Sequence, residues 1–382
     1  MSQEKKLSFF ERYLTLWVLL CIGVGIALGR LAPQVAVTLD SITVYHVSIP
    51  IAVCMFFMIY PIMVKIDFSQ LIKVSKNPKP IVLSTVIDWL IKPFTKYLLV
   101  LFFMGFLFRN LIPGTEILKS GQEIELWRSY SAGLILLSIA PCTAMVFVWN
   151  DLAEASIELT LVIVALMSLL ILILFAPMAT WMLGGVGVVV PWQTMALSML
   201  IYVALPLVAG YLTRKWAIQT KGQEWFETRL LSALSPVSII ALLTTLILLF
   251  TFKGEVIVDN PLHILWIAIV LTIQTLLIFV LAYFGLARLF KLPYEKATPV
   301  AMIGTSNHFE IAFATAVMLF GLDSGAALAA VVGVLVEVPT MLVLVRIAKK
   351  TKHLFPVAPE LAPPLTVTEA AGSALAEEVS AE

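Results

Sequence analysis

Apolar stretches of about 20 residues, separated by short polar segments, run through nearly the whole of this 382-residue chain. That length crosses a bilayer as a helix, and the pattern predicts ten spans: 13–31, 45–63, 81–108, 129–148, 157–183, 192–213, 230–252, 262–287, 297–320 and 325–347. Two of them are interrupted. Span 4 carries Ala140-Pro141-Cys142-Thr143-Ala144-Met145, and span 9 carries Gly304-Thr305-Ser306-Asn307-His308-Phe309-Glu310. Lipid cannot satisfy loose backbone groups, so such breaks survive only where they face protein or a cavity. Breaks at matching places in two halves of a chain point to the binding site of a secondary transporter.

Ten spans divide into five and five. With an odd number per half, the second half enters the membrane from the opposite side, which makes the halves an inverted repeat. Proline recurs in the same sense: Pro177 in span 5 and Pro339 in span 10, Pro50 in span 2 and Pro236 in span 7. The expected fold is an all-α polytopic membrane protein of two inverted five-helix repeats, with helices 4 and 9 broken. Residues 1–12 form an N-terminal arm and 13–350 the transporter. Residues 351–382, rich in Pro, Ala and Glu beyond Pro356, form a disordered tail because they cannot bury enough surface to order.

Composition fixes the class. The chain is 60% hydrophobic and 13% charged, whereas a soluble domain is about 45–50% apolar and about 25% charged. A net charge of +1 offers nothing to a nucleic acid. The three cysteines, Cys21, Cys54 and Cys142, all lie in apolar spans and form neither a disulfide framework nor a CxxC metal site. No metal and no cofactor is expected. The first span lacks a small-residue cleavage signature and reads as a retained helix. Lys and Arg in connecting segments set orientation. With the N-terminus inside, 18 fall on inner segments and 5 on outer ones, while Lys92 and Lys96 lie within span 3. Both termini are therefore expected in the cytoplasm. Trp127, Trp149, Trp192, Trp216 and Trp225, near span ends, read as interfacial anchors.

The candidate chemistry sits at the breaks. Pro141 cannot fit a helix interior without loss of a backbone bond, so it frees carbonyls around Cys142. A thiol beside unwound backbone can bind a soft solute, although free cysteine also serves as plain packing. Glu337, in Gly333-Val334-Leu335-Val336-Glu337-Val338-Pro339, lies mid-span, where an ionisable group costs several kcal/mol unless paired and is a functional candidate by default. It suits reversible protonation, and Pro339 is a further helix breaker beside it. Thr305, Ser306 and Asn307 offer oxygens to a hydrated solute or a cation. Glu310 could carry protons or coordinate sodium, and His308 could carry a proton or hold a fixed hydrogen bond. Asp88 and Lys92 are spaced i, i+4 and read best as a structural charge pair within span 3. Met145 and Met302 could lend thioether sulfur, though packing is the plainer role.

The runs Ala140 to Trp149 and Ile303 to Ala312, with Gly333 to Pro339, resemble the arsenite efflux permeases of the arsenical-resistance type, in the bile acid/arsenite/riboflavin transporter superfamily. The resemblance covers about residues 10–350. It implies a panel domain (spans 1, 2, 6 and 7) and a core domain (spans 3–5 and 8–10) in which broken helices 4 and 9 cross. It implies arsenite efflux across the plasma membrane driven by protons, sometimes with antimonite as a second substrate. The family's essential cysteine maps onto Cys142 and its essential glutamate onto Glu337. On this reading Cys142, Thr143, Ser306 and Asn307 bind substrate, Glu337 and Glu310 couple protons, and Pro141, Gly304 and Pro339 shape the helix breaks. The rival within the same fold is a sodium-coupled organic-anion symporter, which has no need of Cys142. A channel would show a filter or charged ring, and an enzyme a motif such as HExxH or GxSxG. The sequence contains none of these.

Overall fold

The computed structural model describes residues 14–32, 34, 38, 41–44, 47–66, 78–118 and 121–356. The N-terminal arm, the basic loop carrying Lys73 and Lys76, and the tail from 357 lie outside the described residues. The chain is mostly helical, and six of its helices are long and apolar enough to cross a membrane. It is a multi-pass helical membrane protein.

In chain order the helices are α1 (Leu14–Leu31), α2 (Ile49–Lys65) and α3 (Lys79–Leu107), then α4 (Leu126–Ile139) and α5 (Met145–Leu152). They continue with α6 (Ile157–Gly185), α7 (Trp192–Lys221), α8 (Leu231–Asp259) and α9 (Pro261–Ala287). The last are α10 (Tyr294–Thr305), α11 (Phe309–Phe320) and α12 (Gly325–Lys350). The predicted spans overlay these helices, with span 4 divided into α4 and α5 and span 9 into α10 and α11. Two short antiparallel hairpins were not expected from an all-α pattern: β1 (Thr43–Val44) with β2 (Val47–Ser48), and β3 (Thr115–Ile117) with β4 (Glu123–Glu125).

The divided helices owe their length to their surroundings. A 12-residue helix is about 18 Å long, well short of a hydrocarbon core of about 30 Å. Every residue of α11 is buried, as is all of α4 except Leu126 and Arg128. These segments are enclosed by protein, where broken backbone is tolerated. The long helices instead turn apolar side chains outward: Phe106, Ile173, Leu98 and Ile240 are each more than 60% exposed, a surface for lipid.

Two sets of helices pack among themselves. α1 and α2 lie against α8, and α7 lies against α2. In the other set α12 packs on α4, α9 and α11, while α3 touches α4 and α10 approaches α3 and α6. The close fit of α4 on α12 requires Gly133, where an added Cβ would strike the Ala326 carbonyl and come within 2.9 Å of the Ala326 Cα.

The start of α12 is firmly held. Gly325 N donates to Glu116 Oε2 at 2.9 Å, Ala326 N to Ser129 Oγ at 3.0 Å, and Ala327 N to Ser324 Oγ at 3.1 Å. Three of the four orphan donors of a helix N-terminus are thus satisfied, one by a carboxylate that also suits the helix dipole. Glu337 follows twelve residues later, about 18 Å along the axis. On the other side of the molecule, Tyr294 Oη donates to the Ala153 carbonyl and Ser156 N to the Glu295 carbonyl at 3.1 Å, tying the start of α10 to the α5–α6 turn.

Candidate functional site

The two breaks meet and satisfy each other. α4 ends at Ala140 in extended conformation, and α10 gives way to extended Ser306. Pro141 and Asn307 form an antiparallel bridge, and His308 N donates to the Ala140 carbonyl at 3.0 Å. Helix breakers inside two apolar spans therefore produce a small patch of sheet-like pairing within the buried core, which is how their backbone avoids orphaned groups.

Glu337 reaches this patch from α12. Its Oε1 accepts from the Ser306 hydroxyl and from Asn307 N at 3.2 Å, while Oε2 is buried with no hydrogen-bond partner. Cys142, 1% exposed and free, directly follows Pro141, whose bridge to Asn307 sets it beside this patch. The structure thus brings together four of the residues picked out in the sequence: a thiol from one break, a hydroxyl and an amide from the other, and a carboxylate from α12.

Thr143 faces a different partner. Its Oγ1 is 3.5 Å from His308 Nε2, at the outer limit of a hydrogen bond. His308 Nε2 is also 3.5 Å from Glu310 Oε2, yet both Glu310 oxygens lack hydrogen-bonding geometry to any described group. Glu310, His308 and Thr143 form a second polar group beside the first, with open bonding capacity.

Four sequence expectations need correction. Asp88 and Lys92 interact electrostatically but make no direct ion pair: Lys92 Nζ donates to the Ser306 carbonyl, Asp88 Oδ2 accepts from Ser84 at 3.1 Å, and Asp88 Oδ1 has no partner among the described residues. A π-helical stretch, Ile87–Ile91, contains Asp88 and runs up to Lys92. Pro339 does not break its helix, for α12 runs on through it, and the ring withholds only the N–H that would have bonded the Leu335 carbonyl. Gly304 is still helical and serves contact, since a Cβ there would approach Ile87 Cγ2 of α3 to 2.5 Å. Of the tryptophans, Trp192 and Trp216 are exposed as anchors should be, but Trp127 and Trp149 are buried.

Trp149 belongs to the site. With Met145 it lines a narrow cleft with a cavity volume of only about 10 Å³, joined by Phe309 of α11, Val334 and Glu337 of α12, and Leu242 and Leu246 of α8. The cleft lies between the two sets of helices. Met145 and Trp149 are four apart and share a face of α5, a spacing that was legible; that the face turns inward was not.

Paired helix breaks inside a buried core, with a carboxylate and a thiol set into them and apolar helices around, define the class: a multi-pass membrane transporter rather than an enzyme. The profile of the Sodium Bile acid symporter family matches residues 52–260. The chain belongs to this family, within the bile acid/arsenite/riboflavin transporter superfamily. It is 60% identical over 356 residues to an uncharacterised transporter of Synechocystis sp., covering 93% of this chain and 92% of that protein. It is 50% identical over 354 residues to the Arsenical-resistance protein Acr3 of Alkaliphilus metalliredigens, covering 93% and 96%. The Acr3 protein of Corynebacterium glutamicum is 29% identical over 353 residues, 90% of each chain.

Proposed function

We propose that this chain exports arsenite across the plasma membrane by secondary active transport, exchanging it for protons, with antimonite as a second solute. The relative at 50% identity is named for arsenical resistance. The observation that carries the reading is the meeting of the two breaks with Glu337: Pro141, next to Cys142, bridges to Asn307, and the Glu337 carboxylate accepts from Ser306 and from Asn307 N.

At neutral pH arsenite is chiefly uncharged As(OH)3, a small polyol with a soft centre. One thiol can exchange with one hydroxyl: the arsenic–oxygen bond breaks, an arsenic–sulfur bond forms, and the thiol proton leaves with the hydroxyl as water. The product is Cys142–S–As(OH)2. A single such bond reverses by hydrolysis and permits release, whereas several converging thiols would trap the solute. Thr143, Ser306 and Asn307 offer hydrogen bonds to the remaining hydroxyls. Glu337 accepts the proton that enters from outside, Glu310 supplies a second protonation site, and proton and arsenite occupy the breaks alternately.

Alternating access follows from two bodies moving across the cleft. In this reading α1, α2, α7 and α8 form the panel and the remaining helices the core. The ten spans form two inverted five-helix repeats, and both termini lie in the cytoplasm. The packing of helices into two sets, with the cleft between them, supports this division. The family description favours one rival, a sodium-coupled organic-anion symporter.

The test is arsenite accumulation in everted membrane vesicles, with and without a proton gradient, for the wild type and Cys142→Ser. Gradient-driven uptake lost in the variant is the expected result. Uptake unchanged in the variant removes Cys142 from the mechanism. Absence of arsenite uptake, with sodium driving an organic anion, overturns the assignment in favour of the rival.

A further inference from the structure

We propose that the Lys92 ammonium is a tethered cation at the paired breaks, filling the place that a free metal cation would otherwise take, so that transport runs without sodium or potassium. The proposal deepens the reading of the breaks as the transport site and rests on it.

The breaks form an electronegative pocket by construction. α10 stops at Thr305, so its last carbonyls have no partner within the helix and carry the negative end of the helix dipole. The Glu337 carboxylate is hydrogen-bonded into the same turn. Freed carbonyls and the C-terminal ends of half-helices are the groups with which broken-helix transporters coordinate sodium or protons. A pocket of this kind inside a membrane needs positive charge.

Lys92 supplies it. The side chain is 1% exposed, and its Nζ donates to the Ser306 carbonyl, the first carbonyl beyond α10. Ammonium groups at such depth persist by pairing with carboxylates or backbone carbonyls, and Lys92 has both, since Glu337 and Asp88 also face it electrostatically. Cys142 faces it as well, and Lys96 lies one turn on, its buried Nζ without a hydrogen-bond partner among the described residues. The lysine is held in place from behind. Its own carbonyl accepts from Gln274 Nε2 of α9 at 3.1 Å, and Pro93 follows it directly. The π-helical stretch Ile87–Ile91 runs directly up to it, and its Nζ bonds the break rather than Asp88. An ammonium is a compact point charge with three donors, well matched to a cluster of carbonyl and carboxylate oxygens.

The consequence concerns coupling. A tethered cation cannot cross the membrane, so Lys92 balances the pocket in every cycle without being carried. Only protons taken up and released at the carboxylates are exchanged for the solute.

Two measurements test this. In detergent, the thermal midpoint is followed while NaCl replaces choline chloride at constant ionic strength. The wild type is expected to be indifferent, whereas Lys92→Ala is expected to gain a saturable rise of roughly 2–4 °C as sodium enters the vacated position. In vesicles, wild-type arsenite uptake is expected to be the same in sodium and choline. Lys92→Ala is expected to lose uptake and to recover part of it with sodium or methylammonium, while the neutral and similarly long Lys92→Met stays inactive in choline. A saturable sodium shift in the wild type overturns the proposal, as does full activity of both variants in choline. If neither variant folds, the wild-type sodium titration alone decides. If the wild type carries no arsenite, the transport reading fails, and the thermal titration still judges the role of Lys92.

Discussion

At the scale of single residues, charge placement separates the transport site from the surface. Glu337 and Ser306 share one hydrogen bond inside the core, so a hydroxyl at 306 should matter more than its size. Ser306→Ala is expected to lose gradient-driven arsenite uptake, and Ser306→Thr to keep a measurable part of it, as read by initial rates in vesicles. The outer surface behaves differently. Arg109 at 2.9 Å and Arg128 at 3.0 Å hold the Glu125 carboxyl down at about 2, against an ordinary value of 4.5. A depressed folded value contributes stability above the unfolded value and loses it as pH falls toward about 2. Glu125 is therefore charged wherever transport is assayed. Glu125→Gln should leave the shape of the uptake–pH profile between about pH 5 and 8 unchanged; a displaced profile would place the proton pathway through this outer cluster. The sequence made Cys142 and Glu337 visible because a thiol and a carboxylate are conspicuous inside apolar spans. It hid the partner of Lys92, which is a backbone carbonyl more than two hundred residues away and has no side-chain signature.

At the scale of elements, apolar runs located the long helices well, because burial in lipid demands continuous apolar length. The breaks at Pro141 and Ser306 were legible for the same reason, since polar groups and proline interrupt that length. The π-helical stretches in α3 were not, because an i→i+5 bonding pattern leaves the composition unchanged. The first of them contains Asp88 and runs up to Lys92. Pro339 shows the opposite limit: proline weakens a helix locally, but the surrounding contacts carry α12 through it. Close helix contact gives a testable consequence. At Gly133 a methyl group would meet the backbone of α12, whereas at Gly23 nothing lies within 4 Å. Gly133→Ala is expected to cost about 1–3 kcal/mol and lower the thermal midpoint. Gly23→Ala should be neutral or slightly stabilising, as alanine is the better helix former. Equal midpoints for the two variants would contradict the packing of α4 on α12.

At the scale of the whole molecule, the proposed alternating access rests on the two sets of helices and the narrow cleft between them. In the proposed topology, the excess of Lys and Arg on one set of connecting segments places that set in the cytoplasm. A thiol introduced by Glu123→Cys should react with a membrane-impermeant reagent added to intact cells, and one introduced by His353→Cys only after permeabilisation. The reverse pattern would invert the topology. What a sequence cannot carry at this scale is which helices face one another across the cleft, and so Trp149 read as a surface anchor although it lines the site. The central claim is exchange of arsenite for protons through Glu337. It is tested most directly in proteoliposomes loaded with arsenite and a luminal pH indicator, with no imposed ion gradient. Arsenite efflux through the wild type should acidify the lumen, and Glu337→Gln should abolish the acidification. Arsenite efflux without luminal acidification, or acidification retained in Glu337→Gln, would contradict the account.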